Sequence, residues 1–303
     1  MKSFNAKVAA ITGAASGIGR ALSLQLAREG CNLSLSDIND KDLQETVQMA
    51  QAAAEKAGKH ILVTAQKLDV SKREAVYQWA EKTAADHGRI NLIFNNAGVA
   101  LGATVEGVEY DDFEWIMDIN FWGVVYGTKA FLPHLKAAGD GHVINVSSIF
   151  GLFSQPTQCT YNASKFAVRG FTESLRQELD MQNCGVSATC VHPGGIKTNI
   201  ARTARYTSSV SELTGQSEAD GKKTFEKLFI TTPEKAAKII LDAVRGNKRR
   251  VLVGPDAVAI DLMVRTLPET YQTIVVGNMQ MMTKMEAARG KKKKAAKAAT
   301  ETA

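Results

Sequence analysis

Val8-Ala9-Ala10-Ile11-Thr12-Gly13-Ala14-Ala15-Ser16-Gly17-Ile18-Gly19 is the stretch whose reading decides the fold. Its first five residues form a short apolar run, consistent with a strand buried on both faces. A glycine-rich turn follows at once. Next comes a helical pattern with Leu22, Leu24, Leu26 and Ala27, closed by Gly30. A strand, a glycine-rich turn and a helix, in that order, are the context a dinucleotide fingerprint requires. The glycines permit the tight turn and let the backbone approach a pyrophosphate, to which the helix N-terminus offers free N–H groups. On this reading the glycines, Gly13, Gly17 and Gly19, bring the backbone up to the pyrophosphate.

Working outward, residues 31–36 read as a second strand ending at Asp37. A carboxylate at this distance beyond the glycine turn can bond the adenosine ribose hydroxyls and would repel a 2′-phosphate. Ala14, Ala15, Ser16 and Ile38 supply no Arg or Lys to attract one. This favours NAD(H), with NADP(H) left open. The alternative is that Asp37 caps the next helix. Residues 40–57 then read as a helix, 61–68 as a strand running into Asp69-Val70, 71–87 as a helix and 91–94 as a strand. That last strand empties into Asn95-Asn96-Ala97-Gly98, at a strand end of the kind where ligands sit in open α/β sheets. A long helix over 110–136 carries Asn120, either as a satisfied core amide or as a local irregularity that holds a water near Lys165.

A strand ending at Ser148 precedes a helix predicted over 156–183, which opens with Tyr161-Asn162-Ala163-Ser164-Lys165. Tyr161 and Lys165 are four apart and share one helical face. A free phenol has a pKa of about 10, and an ammonium one turn away pulls it down. With the Ser148 hydroxyl beside a carbonyl oxygen, the three groups can move a proton on and off an alcohol. Residues 186–191 form a further strand, emptying into His192-Pro193-Gly194-Gly195-Ile196-Lys197-Thr198, a loop placed to meet a nicotinamide. Residues 199–221 are polar and poor in apolar period, which suits a lid. Residues 233–245 read as a helix and 250–253 as a seventh strand. Strands alternate with helices throughout, which calls for a parallel sheet covered on both faces.

With 45% hydrophobic and 22% charged residues, the 303-residue chain can bury a sizeable core. Its net charge of +6 is concentrated at the end, where Lys291, Lys292, Lys293, Lys294 and Lys297 face one Glu301. The body is nearly neutral, so no nucleic-acid partner is expected. Cys31, Cys159, Cys184 and Cys190 form no C-x-x-C and no metal-ligand spacing, so neither disulfides nor a metal site is expected. No apolar targeting run and no stretch of membrane-spanning length is present, and the chain reads as cytoplasmic.

Taken together, Thr12-Gly13-x-x-x-Gly17-Ile18-Gly19, Asn95-Asn96-Ala97-Gly98, Asn120, Ser148, Tyr161-x-x-x-Lys165 and Pro193-Gly194 resemble the short-chain dehydrogenase/reductase family, in its short single-domain branch. The resemblance covers about residues 4–255. It implies a Rossmann-type, doubly wound α/β fold with a parallel sheet of about seven strands in a single domain, 1–255. It implies an oxidoreductase interconverting an alcohol and its ketone or aldehyde. Tyr161 would be the general acid/base, Lys165 would lower its pKa and bond the nicotinamide ribose, and Ser148 would orient the substrate oxygen. Asn120 would support a water relay. Gly13, Ser16, Ile18 and Gly19 would line the pyrophosphate, Asp69 and Val70 would flank the adenine, Asn96 the adenosine side, and Ile196 and Thr198 would hold the carboxamide; Gly17, Ala97, Gly98, Pro193 and Gly194 would also bind the cofactor. A homodimer or homotetramer is implied. A nucleotide-sensing binding protein on the same fold is the alternative, although such proteins typically lack the Tyr or the Lys.

The chain departs from that pattern at its end. Residues 256–288 form an apolar, helical extension with Ile260, Leu262, Met263, Leu267, Ile274, Val275, Val276, Met279, Met281 and Met282. This stripe can cover the substrate cleft, pack on a second subunit or lie on a membrane surface. Residues 289–303 read as a Lys-rich disordered tail. Phe150, Leu152 and Phe153, just after Ser148, predict an apolar substrate wall.

Overall fold

A computed structural model describes residues 1–226 and 229–283. In chain order the elements are β1 (Val8–Thr12), α1 (Gly17–Arg28), β2 (Asn32–Asp37), α2 (Asp40–Lys56), β3 (Val63–Lys67), α3 (Arg73–His87), β4 (Leu92–Asn95) and β5 (Leu101–Gly102). There follow α4 (Tyr110–Met117), α5 (Gly123–Ala138), β6 (Gly141–Val146), α6 (Cys159–Gln182), β7 (Val186–Pro193) and β8 (Arg205–Tyr206). Then come α7 (Ser208–Thr214), α8 (Glu218–Glu226), α9 (Pro233–Arg245), β9 (Arg250–Val253) and α10 (Pro255–Thr266). Residues 270–283 are also helical.

Seven strands make one parallel sheet in the order β3-β2-β1-β4-β6-β7-β9, the doubly wound Rossmann-type arrangement. The order reverses between β1 and β4, and the crevice at that switch point is where ligands enter such sheets. The run Val8–Thr12 is apolar without alternation because both of its faces are covered. Ala9 and Ile11 pack with Leu22, Leu26, Ile240 and Leu241 on one side. Ala10 packs with Trp79, Ile93, Phe131 and Val143 on the other.

Three segments differ from the sequence reading. The helix expected over 110–136 is broken by a π-helical turn, Asp118–Trp122, between α4 and α5. Such single turns insert one residue and re-aim the side chains around them. The stretch expected as an irregular lid is largely ordered, with a 3₁₀ turn (Asn199–Ala201), β8, α7 and α8. β8 pairs in parallel with β5, a two-residue ladder that no sequence pattern announced. The C-terminal apolar stretch divides by face. Ala257 and Tyr271 are buried, and Ile260, Met263, Val264 and Val275 pack with them against Ile149, Phe150, Phe153 and Tyr161. Val258, Leu262, Val276 and Met281 remain exposed. Among the described residues no helix is long and apolar enough to cross a membrane. The Lys-rich segment 289–303 lies outside the described residues.

Candidate active site

The glycine turn is held open by backbone geometry. Gly13 and Gly17 adopt φ of +66° and +53°, the left-handed region that favours glycine. A Cβ at Gly19 would run into the Gly13 carbonyl, so α1 can approach the turn only with glycine there. Asn96 secures the other side, its Nδ2 donating to the carbonyls of Thr12 (2.9 Å) and Gly13 (3.2 Å). The Thr12 hydroxyl accepts from the N–H groups of Asn96 and Ala97, both at 3.0 Å. Ser16 stands at the N-cap of α1 without a side-chain cap bond. Asp37 accepts the Ala15 N–H on one oxygen and the Asn39 N–H on the other, both at 2.9 Å. The cap of α2 is the Asn39 side chain, so the capping reading of Asp37 is replaced by a brace between the glycine turn and the end of β2. The Asp69 carboxylate is turned back onto Ser71, and Val70 packs against Gly123.

At the far end, Ser148 leads a 3₁₀ turn and its Oγ accepts the Phe150 N–H at 3.1 Å. The buried His192 donates from Nδ1 to the Ser148 carbonyl at 2.9 Å, tying the end of β7 to that turn. Lys165 is 3% exposed. Its ammonium donates to the Val146 carbonyl at 3.1 Å and stands 5.7 Å from the centre of the Tyr161 ring. Burial pushes Tyr161 up to about 12, against a smaller downward pull from the Ser148 hydroxyl. Burial also pushes Lys165 down to about 8. Desolvation disfavours the charged form of both groups, and on Tyr161 it outweighs the Ser148 hydroxyl.

Asn120 is fully buried inside the π-helical turn. Its amide clasps residue 99, accepting from the Val99 N–H (2.8 Å) and donating to the Val99 carbonyl (2.9 Å) and to Ser164 Oγ (3.1 Å). Gly98 leaves room for this: a Cβ there would stand 3.1 Å from Asn120 Oδ1 and 3.3 Å from Lys165 Nζ. The loop after β7 folds back over the glycine turn. Gly194 donates to the Val253 carbonyl (2.9 Å) and Gly195 to Asp256 Oδ2 (2.6 Å). The Thr198 methyl would stand 3.0 Å from a Cβ on Gly17.

One cleft of about 600 Å³ joins these parts. Its walls include Gly13, Ser16, Gly17, Ile18, Asp37, Asp69, Val70, Asn96, Ala97, Gly98, Pro193, Gly194, Ile196 and Thr198, together with Ser148, Tyr161 and Lys165. Gly19 and Asn120 are not in the wall; each supports it from behind. Phe150 lines it, but Leu152 and Phe153 do not: Phe153 stacks behind Phe150 at 5.1 Å and meets Tyr271 at 6.4 Å. The C-terminal helices therefore back this wall rather than cover the cleft.

A family model described as short chain dehydrogenase matches residues 7–208. The chain belongs to this family. SadH of Mycobacterium tuberculosis, named as an oxidoreductase, is 46% identical over 279 residues, which is 92% of this chain and 97% of SadH. A short chain dehydrogenase/reductase from Burkholderia phymatum, solved with NAD, superposes with a TM-score of 0.78 at 27% identity, over 90% of this chain and 97% of its own. An alcohol dehydrogenase from Thermococcus sibiricus, solved with 5-hydroxy-NADP, gives a TM-score of 0.64 at 26% identity, over 81% and 95%.

In this short chain dehydrogenase, sequence reading did not find Trp115, Ile119, Gln158, Ile200, Thr203 and Phe229, which also line the cleft. Trp115 and Ile119 are four apart, the same signal a core stripe gives. The segment carrying Ile200 is latched across the site through Arg205, whose guanidinium lies 3.6 Å over the Trp115 ring and donates to Asp112 at 2.8 Å. No local pattern links Arg205 to residues 112–115.

Proposed function

We propose that this short chain dehydrogenase is an NAD(H)-dependent oxidoreductase interconverting a hydrophobic alcohol, secondary by preference, and its ketone or aldehyde. The observation that carries the reading is the opening of Ser148, Tyr161 and Lys165 onto the same cleft as the glycine turn and Asp37. The residues present fit a nicotinamide dinucleotide. The Gly13–Gly19 approach leaves a cradle a Cβ would fill, and α1 points its N-terminus at it. Asp37 stands where ribose hydroxyls would be met and a 2′-phosphate repelled, which favours NAD(H) over NADP(H). Asp69, Val70 and Asn96 would flank the adenosine, and Pro193, Gly194, Ile196 and Thr198 the nicotinamide.

The cofactor supplies the hydride acceptor or donor. The chain's own residues handle the oxygen and its proton. The Ser148 hydroxyl orients the substrate oxygen against the Tyr161 phenol. Tyr161, held neutral by burial, donates its proton to the forming alkoxide in reduction and takes it back in oxidation. Lys165 positions the ribose and stabilises the phenolate, and Asn120 keeps the chain beside Lys165 in place. Trp115, Ile119, Phe150 and Ile200 give the substrate an apolar wall. The family's usual homodimer or homotetramer is proposed for this chain.

The test is reduction of NAD⁺ and of NADP⁺, followed by absorbance of the reduced nicotinamide, over short, long-chain, aromatic and steroidal alcohols. Turnover with NAD⁺ on an apolar class, lost in Tyr161→Phe, is expected. Turnover with NADP⁺ alone would overturn the Asp37 reading. Tight NAD⁺ binding without turnover on any alcohol would replace catalysis by nucleotide sensing.

A further inference from the structure

Gln158 is 8% exposed and lines the cleft. It occupies the N-cap of α6, yet its side chain makes no cap hydrogen bond. Glutamine is not among the residues that cap well, so the position draws no benefit from it there. Its carbonyl accepts the Asn162 N–H at 2.8 Å, and the residue stands opposite Ala103 in an isolated parallel bridge. The residue is thus fixed while its amide is idle: among the described residues no hydrogen bond to that amide is made. Among the described residues the sealed side-chain atoms without partners are His87 Nδ1, Asn95 Oδ1, Thr160 Oγ1, His192 Nε2 and Asp256 Oδ1. The Gln158 amide is not one of them, so it opens onto the cleft that the residue lines.

An amide nearly out of water, in a cleft also lined by Trp115, Ile119, Phe150 and Ile200, loses hydration that a bound group must replace. We infer that Gln158 is a second polar anchor for the substrate, which is a hydrophobic alcohol or ketone bearing a further neutral oxygen near the reacting carbon. The inference rests on the oxidoreductase reading above and names the substrate class within it. Gln158 and Tyr161 are the N-cap and N3 residues of α6, positions whose side chains lie close enough to meet. Two oxygens held by these two side chains are separated by about two to four carbons. The amide both donates and accepts, so it matches a hydroxyl or a carbonyl equally. A carboxylate is disfavoured: no arginine lines the cleft among the described residues, and Lys165 is already bonded to Val146.

The experiment uses the full chain and matched pairs of apolar ketones, with and without a second carbonyl two to four carbons away, plus the corresponding carboxylate. Dissociation constants are read by tryptophan fluorescence in the presence of NADH, and kcat/KM is read alongside. In the unaltered protein the oxygenated ketone is expected to bind at least about tenfold tighter than its plain partner. Gln158→Met should bring that ratio towards one. A ratio near one in the unaltered protein, a ratio unchanged in Gln158→Met, or tightest binding of the carboxylate would each overturn the anchor. The binding ratio needs no turnover. Full turnover in Tyr161→Phe would sink the oxidoreductase mechanism while leaving the ratio to judge Gln158. A protein that binds no member of any pair refutes both.

Discussion

The glycine-turn end of the cleft and the Tyr161 end are assembled differently. The first is framed by the ends of β1, β2 and β4, and its contacts run from side chains to main chain. Asn96 grips the carbonyls of Thr12 and Gly13, and Asp37 grips the N–H groups of Ala15 and Asn39. The second is framed by side chains from α4, α6, the 3₁₀ turn at 199–201 and the segment around Phe229. A strand end fixes its neighbours through the sheet ladder, so a few residues of short-range pattern specify it. A pocket drawn from four distant segments depends on how those segments pack. The first end is therefore specified by short-range pattern, and the proposed substrate wall by long-range packing.

The largest expected effect sits at the reacting end. Tyr161→Phe should lower alcohol turnover by about 10²- to 10⁴-fold, the usual worth of a positioned proton donor, while NADH binding read by fluorescence survives. Equal loss of both would mean that the two ends are not separable. Next comes pH. Burial depresses His192 to about 4 and His142 to about 3, so both stay neutral in the folded chain while their unfolded counterparts take up protons below about 6.5. Stability should be complete above that value and fall as pH drops towards 4, by the order of 3 kcal/mol for His192 over its window. Urea unfolding at stepped pH measures it. His192→Gln should flatten the slope, and an unchanged slope would mean that the strap between β7 and Ser148 does not carry it.

Gly19→Ala places a methyl against the Gly13 carbonyl and the Asn96 amide. NADH affinity should fall about 10- to 100-fold, the cost of overpacking against backbone. Undiminished affinity would show that the glycine-turn end yields more easily than its main-chain bonding implies. The smallest effect is expected at the latch. Arg205→Ala removes an exposed pairing with Asp112 and the stacking on Trp115. KM for the alcohol should rise about threefold, because exposed pairs and cation–π contacts are each worth only about 1 kcal/mol. A parallel rise in KM for NAD⁺ would mean that the latch braces the whole cleft.

Much of this was open to reading from the chain alone, because it is short-range. Apolar runs covered on both faces, glycines where a turn needs them and Tyr161 four residues before Lys165 are written within a few positions of one another. They are enough for the alternation of strands and helices and for the residues at the strand ends. The sequence also marked Asn120 as an oddity within a helix. Only the tertiary structure turned that oddity into a π-helical turn clasping Val99, and only it showed Asp37 bracing the glycine turn instead of capping α2. Packing placed Phe153 behind Phe150 and brought Gln158 and Trp115 into one wall. It also buried the Tyr161 phenol and so raised it, since desolvation depends on everything packed around a group and spacing along a helix records only one neighbour.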